Sequence, residues 1–409
     1  MIKSLNKKSR VLVATFSPWN EGKRSPTNGM VEPFTQFFSK RVGHFVLIDQ
    51  PHPGSDTVIP FIEIYKKSKL KSIKKSSLTL LKPFLRSKNA ANTSIIFKIR
   101  DFLSVLDFVF RDRKKYDLII GFESINALAG VFLKKIGLVD TVVYFVSDFS
   151  PRRYKQKWFN NLYLFLDKLA ATYSDATWNV SYAMSEARKN LGYNMGELSP
   201  QLYAPNAFFT SEIKYLPVSK IKPVSIMYAG SMGKENGPDL AIKAMTKIIK
   251  KIPNATLTLA GWTTKQDEEK LINLIKKLKL ENSVEFKGFI PTNYEMLDLV
   301  RHHQISIAPY RAIPNSVRWY ADAVKIRSSL ACGLPVVTTQ VPPMGKEAEK
   351  LGAGVVVKDN VNDLSEAIIN IFLDKKRYLK MRSNAIKAAK NNTWENSYSN
   401  ALKAMGILI

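Results

Sequence analysis

Apolar residues in this chain come in short β-branched bursts, separated by longer stretches in which they recur every three or four positions. The bursts predict strands and the longer stretches predict amphipathic helices. In the first half the predicted strands are 10–16, 44–49, 117–122, 141–146 and 176–181, and the predicted helices are 29–40, 124–135, 157–171 and 182–191. The second half repeats the rhythm more regularly. Its predicted strands are 224–229, 255–260, 283–287, 304–308, 335–339 and 354–357, and its predicted helices are 237–251, 266–280, 293–300 and 323–332. Strands alternating with helices predict an α/β chain with parallel sheets covered by helices.

Pro205, Pro217 and Pro223 interrupt the periodicity between the halves. We therefore expect two tandem Rossmann-like, doubly wound domains. In each, a ligand would bind at the carboxyl ends of the strands. A length of 409 residues suits two such domains. The lone cysteine, Cys332, excludes an internal disulfide framework. The basic start leads into an apolar run too short for a signal-peptide core, and no apolar stretch is long enough to predict a membrane span.

Charge adds one feature that the periodicity does not. The net charge is +28, which draws the protein towards anionic surfaces such as phospholipid, nucleic acid or polyphosphate. Between Ile64 and Arg100 there is no acidic residue, and lysines such as Lys66, Lys69, Lys71, Lys74 and Lys75 alternate with Leu70, Ile73, Leu80 and Phe84. Such a segment reads either as a surface for anionic membrane or as a solvated loop. Nucleic-acid binding would require aromatic platforms or a reading helix, and the aromatic residues fall instead within the strand and helix patterns.

Candidate chemistry concentrates in two segments of the second half. The first, MYAGSMGKENGPDL at 227–240, runs from a strand through a glycine loop into a helix. Glycines let backbone N–H groups approach phosphate, and a helix N-terminus adds partial positive charge. Lys234 could add a full charge, although a plain strand-to-helix turn reads the same way. The second segment comprises ISIAPYR at 305–311 and RWYADAVKIRSSLACGLPVV at 318–337. Here Asp322 suits a helix N-cap, and Lys325 follows in the first turn. A cation there opposes the helix dipole, so an anionic ligand would compensate it. Arg311 and Arg318 are further cationic candidates, or else surface residues.

These segments, in this order, resemble the donor half of GT-B glycosyltransferases, especially family 4. The resemblance covers nearly all of 224–405. It is carried by YAG at 228–230, DLAIKA at 239–244, LTLAG at 257–261, VEFKGF at 284–289, IAPY at 307–310, KIRSSLACGLPVV at 325–337 and NTWEN at 392–396. It implies a cleft between two domains: residues 1–205 for the acceptor, 206–390 for a UDP- or GDP-sugar donor, and a final helix within 391–409 crossing back to the first domain. It implies that Gly230, Ser231 and Gly233 lie beside the donor diphosphate, that Lys325 neutralises the leaving group, and that Phe289 meets the nucleobase. Ser328, Ser329 and Leu330 would lie under the ribose and phosphates.

The chain departs from the family in two places. Ser231 and Asn236 stand where many relatives carry Arg and Lys, with Lys234 a possible substitute. Ser328 and Ala321 stand where relatives commonly carry glutamates, with Asp322 one place away. In the first half, TFSPW at 15–19 through Asn28 and Gly29 resembles the family's glycine loop facing the donor, or is a simple loop. Asp148, after a predicted strand, is the candidate base for the acceptor hydroxyl, unless it caps the next segment. Glu123 is its rival, and Arg152 and Arg153 suit an anionic acceptor.

The four histidines show no metal-ligand spacing, so neither metal nor cofactor is expected beyond the sugar nucleotide. The expected function is a metal-independent glycosyltransferase in cell-surface glycan synthesis. It would act on a lipid-linked or polysaccharide acceptor at the cytoplasmic membrane face. The alternatives are a non-catalytic GT-B relative, a sugar-nucleotide epimerase of the same fold, or a nucleic-acid binder.

Overall fold

A computed structural model describes residues 2–24, 31–85 and 90–409, and it divides into two compact units. The first comprises Met1–Val180, Met184–Ala204 and Ser397–Ile409, and the second Ser181–Ala183 and Pro205–Asn396.

In the first unit the strands are β1 (Arg10–Ser17), a small hairpin of β2 (Trp19–Asn20) and β3 (Lys23–Arg24), β4 (His44–Pro51), β5 (Phe61–Lys66), β6 (Lys69–Lys75), β7 (Tyr116–Phe122), β8 (Val139–Val146), β9 (Ala176–Asn179) and β10 (Gln201–Tyr203). The helices are α1 (Val31–Ser39), α2 (Lys82–Leu85), α3 (Ala90–Asp112), α4 (Glu123–Lys135), α5 (Lys157–Tyr173) and α6 (Tyr182–Asn190). Eight strands form one sheet in the order β10-β9-β8-β7-β1-β4-β5-β6. It is parallel as far as β4, and β5 and β6 then pair antiparallel to leave β6 on the open edge.

Both faces of this sheet are covered, so its inner strands are apolar at successive positions rather than alternately. Leu12, Val46 and Ile119 pack against Val105 and Val109 of α3 and Leu133 of α4. On the other face Phe122 and Phe145, partners across β7 and β8, stack at 4.4 Å beneath Phe34 of α1. Tyr398 from the last helix stacks on Phe34 at 4.3 Å, and the Leu5 N–H donates to the Leu408 carbonyl. Arg188 is fully buried, its guanidinium donating to Asp167 and Asn179, which joins α5, α6 and β9.

In the second unit the strands are β11 (Ser225–Ala229), β12 (Thr256–Ala260), β13 (Val284–Gly288), β14 (Ile305–Ala308), β15 (Val336–Thr339) and β16 (Gly354–Val357). The helices are α7 (Pro238–Lys251), α8 (Lys265–Lys277), α9 (Asn293–Arg301), α10 (Val324–Ala331), α11 (Pro343–Lys350), α12 (Val361–Leu373), α13 (Lys375–Asn391) and α14 (Trp394–Ala404), of which α14 continues into the first unit. The sheet order is β13-β12-β11-β14-β15-β16, with every pair parallel. Alternate residues of β11 face opposite layers. Ile226 and Tyr228 join α7 and α12, whereas Met227 and Ala229 join α9 and Cys332. The order reverses at β11, between β12 and β14, which places a switch point at the carboxyl end of β11.

The predicted α/β class and strand rhythm hold throughout the described residues. Several elements were not expected, among them β5, β10, α11, α12 and α13, and two more lie in and after the basic stretch. The basic stretch after Ile64 is not a solvated loop over Lys69–Lys75 but the edge strand β6. The long helix α3 follows where no element was expected. No described helix is long and apolar enough to cross a membrane.

Candidate functional site

The loop after β11 is built by close backbone approach. Gly230 adopts φ +112° and donates its N–H to the Ala260 carbonyl. Gly261, at φ +144°, lies so close that a Cβ there would stand 2.1 Å from the Gly230 oxygen. Gly237 adopts φ +67°, where a Cβ would stand 1.8 Å from the Pro309 carbonyl oxygen. Only glycine satisfies these positions. The ends of β11, β12 and β14 are thereby drawn together around the switch point.

Lys325 sits against this loop from the first turn of α10. Its ammonium donates to the Tyr228 hydroxyl and to the Ser231 carbonyl, both at 2.8 Å. It lies 4.2 Å from the Tyr228 ring centroid and 5.3 Å from that of Tyr310. An ammonium has three hydrogens, and the third has no partner among the described residues. Burial pushes the Lys325 pKa well below that of an ordinary lysine, and neighbouring Arg318 lowers it further. Arg318 itself meets Glu235 only loosely, at 3.8 Å, and its buried Nε has no hydrogen-bond partner among the described residues. Two incompletely compensated basic side chains beside a glycine loop are an arrangement that suits an anion in both charge and shape.

Other expected donor residues fall around this centre in different ways. Lys234 is exposed and begins a short 3-10 turn after Gly233. Gly233 has an ordinary φ of −65°, and a Cβ there would come no closer than 3.7 Å to another residue. Phe289 is exposed just after β13. Asn28 and Gly29 lie outside the described residues.

Five further candidate residues are engaged within the fold, and for Asp322 and Arg311 this corrects the expectation. Asp322 neither caps α10, whose N-cap is Ala323, nor presents a free carboxylate. Its oxygens each take the Arg327 Nε–H at 2.8 Å, and one also accepts from the Asn206 N–H, so it holds the inter-element frame. Ser328 and Ser329 turn their hydroxyls back onto the Lys325 carbonyl, as helical serines do. Ser329 is fully buried against Ser306, and Leu330 belongs to the apolar core under α10. Arg311 is consumed by Asp239 and Asp359, both at 2.9 Å.

The residues that the sequence reading missed are Tyr228 and Tyr310. A tyrosine within an apolar strand must bring its hydroxyl to a partner when buried. The YAG and APY motifs carried that signal.

In the first unit a second polar cluster forms. Asp148 follows β8, pairs with Arg153 at 2.6 Å and caps no helix, since α5 begins later behind Gln156. Glu123 opens α4 with φ +58°, in a turn so tight that a Cβ on Gly121 would stand 2.3 Å from the Ala127 nitrogen. Its carboxylate accepts from the Ser147 hydroxyl at 2.9 Å. Burial pushes the Glu123 pKa up, against the opposing pull of Arg153 and Lys98. A non-glycine residue strained at a strand-to-helix turn, carrying a half-buried carboxyl of raised pKa, is the kind of position at which function concentrates. Arg152 is exposed alongside. Among the described residues no group of three or more His, Cys, Asp or Glu side chains is arranged to hold a metal.

Residues 217–391 match the family described as glycosyl transferases group 1. A putative glycosyltransferase of Bacillus subtilis, YtcC, is 26% identical over 170 residues, 40% of each chain. Glycogen synthase of Mycobacterium tuberculosis is 27% identical over 124 residues, 30% of this chain and 28% of that one. The matched stretches thus span well under half of these curated relatives. Among solved structures, Anabaena Alr3699/HepE superposes with a TM-score of 0.67 at 16% identity, covering 97% of this chain and all of that one. Sucrose-phosphate synthase of Thermosynechococcus elongatus gives 0.65 at 14% identity, covering 97% and 96%. The glycine loop, its lysine and the sheet beneath them lie inside the residues that match the glycosyl transferases group 1 family, and the chain as a whole has the fold of these GT-B structures.

Proposed function

We propose that this chain transfers a sugar from a UDP- or GDP-sugar to an acceptor, with the second unit holding the donor. The observation that carries this reading is the pairing of Lys325 and Arg318 at the Gly230 loop. Lys325 has no ion-pair partner among the described residues, Arg318 meets Glu235 only at 3.8 Å, and the loop exposes backbone to a diphosphate. As the bond to the anomeric carbon breaks, negative charge grows on the departing nucleoside diphosphate. Lys325 and Arg318 stabilise that charge more than they stabilise the ground state, which is what accelerates the step. Lys234 and the Ser231–Gly233 backbone bind the distal phosphate, and Phe289 packs on the base.

On the acceptor side, Asp148 takes the proton of the attacking hydroxyl, oriented by Arg153. Residues 1–205 form the acceptor half, 206–390 the donor half, and 391–409 return to the first. The excess of positive charge supports work on anionic, lipid-linked or polysaccharide substrates of cell-surface glycan synthesis, at the inner membrane face.

Anabaena Alr3699/HepE has been crystallised with UDP and with UDP-glucose, so UDP is the first nucleotide to test. Calorimetric titration without added metal should show UDP or GDP binding to the wild type, weakened at least tenfold in Lys325→Ala. Binding of neither nucleotide would sink the reading.

A further inference from the structure

Above the sheet of the first unit, α3, α4 and α5 leave between them a groove that encloses about 350 Å³. Its wall is almost wholly hydrocarbon, supplied by Ile99, Leu103, Leu128, Phe159, Leu162 and Leu166. This volume lies in the range of ligand sites, ~300–1,000 Å³. The mouth is apolar as well: Ile99 is 50% exposed and Leu162 39%. Trp158 and Phe165 flank Leu162 at helical spacing on α5, and both are exposed. Water-facing apolar stripes of this kind mark an unfilled contact.

One part of the groove is polar. Lys98 and Ser124 contribute to its lining, and Ser124 follows Glu123 in the chain. Lys98 and Arg153 are both close enough to Glu123 to act on its charge, and Arg152, Lys155 and Lys157 stand exposed nearby in sequence. The groove therefore joins a hydrocarbon wall to a polar end at which Lys98 stands, with Arg153, paired to Asp148 at 2.6 Å, close to the same Glu123. A purely apolar ligand would leave the cations unused, and a saccharide would leave the wall bare. A single-chain amphiphile with an anionic head matches both.

We propose that this groove holds the hydrocarbon chain of a lipid phosphate, with its phosphate at Lys98 and Arg153. As the acceptor of the transfer proposed above, this lipid would have its head end beside Glu123 and Asp148. That role rests on the sugar-transfer reading, but the binding does not.

The test is titration of the full chain with n-dodecyl phosphate below its micellar concentration, followed by tryptophan fluorescence and calorimetry. Saturable one-to-one binding is expected. Hexyl phosphate should bind at least a hundredfold more weakly, since each buried methylene contributes roughly fourfold. Leu162→Gln and Ile99→Gln change exposed positions and should leave the thermal midpoint in place while weakening dodecyl phosphate at least tenfold. Lys98→Ala should weaken dodecyl phosphate but not dodecanol. Equal affinity for the two chain lengths, or binding to anionic vesicles without binding of the monomeric lipid, would overturn the proposal. UDP titrated into the same variants should bind as in wild type. If UDP fails with wild type while dodecyl phosphate binds, the donor reading falls and the groove stands.

Discussion

The Lys325 ammonium donates to the Tyr228 hydroxyl at 2.8 Å while lying 4.2 Å from the centre of the same ring. One tyrosine thus supplies both an acceptor and a π face to a cation that has no carboxylate partner among the described residues. The contact orients the charge without neutralising it, and it leaves the ammonium able to respond to an arriving phosphate.

Replacing this lysine should separate stability from binding. A desolvated, uncompensated charge costs several kcal/mol, and an apolar side chain of similar length avoids that cost. Lys325→Met should keep or raise the thermal unfolding midpoint while UDP affinity falls at least tenfold. A lower midpoint together with unchanged affinity would show that the lysine is structural.

The lowered Lys325 pKa has a calorimetric signature. In the free protein the group sits below its unfolded value, so between the two values the unfolded chain binds more protons, and stability falls as pH falls. A bound diphosphate favours the charged form and raises the pKa again. UDP binding at mildly alkaline pH should therefore take up protons, seen as a binding enthalpy that varies with buffer ionisation enthalpy. Lys325→Met should remove that dependence.

The loop glycines should differ sharply in tolerance. At Gly261 a Cβ would meet backbone at 2.1 Å with φ at +144°, so Gly261→Ala should cost about 3 kcal/mol or more in urea unfolding. At Gly233 the backbone is ordinary and the space open, so Gly233→Ala should stay within about 0.5 kcal/mol of wild type. Any change in donor affinity in Gly233→Ala then reports on the ligand and not on the fold.

The two carboxyl groups of the first unit should respond differently to amide replacement. Burial favours the neutral form of Glu123, and glutamine imitates it, so Glu123→Gln should keep turnover within about threefold. Asp148→Asn removes the proposed base and should lower kcat by ~10²–10⁴-fold. The reverse ranking, measured by UDP release, would move the base to Glu123.

Much of this was legible in the sequence because buried parallel strands advertise themselves. The runs that became β7, β8 and β11 are largely apolar on both faces, and the glycine loop and Lys325 sit at fixed offsets from them. Less legible were features set by tertiary pairing. Asp322 has the residue type and position of a helix cap, and only the fold brings Arg327 and Asn206 to it. Ser329 looks exposed in a polar run, but α10 turns it onto Ser306. β6 was missed because an edge strand needs no buried face, and lysine-rich alternation carries no strong strand signal. The groove between α3, α4 and α5 arises from the way three successive helices pack, so no local pattern announces it.

The open strand β6 has one further consequence, for the behaviour of the protein in bulk. It presents unpaired backbone beside the exposed side chains of Lys69, Lys71, Lys74 and Lys75, and of Leu70 and Ile73. Like-charged lysines on a sheet edge keep two copies from joining edge to edge. That protection is electrostatic, so it weakens with ionic strength and vanishes where a polyanion covers the lysines. High salt or heparin-like polymers should then promote self-association through this edge, so the solubility of the chain is set locally by four lysines as well as by its total charge.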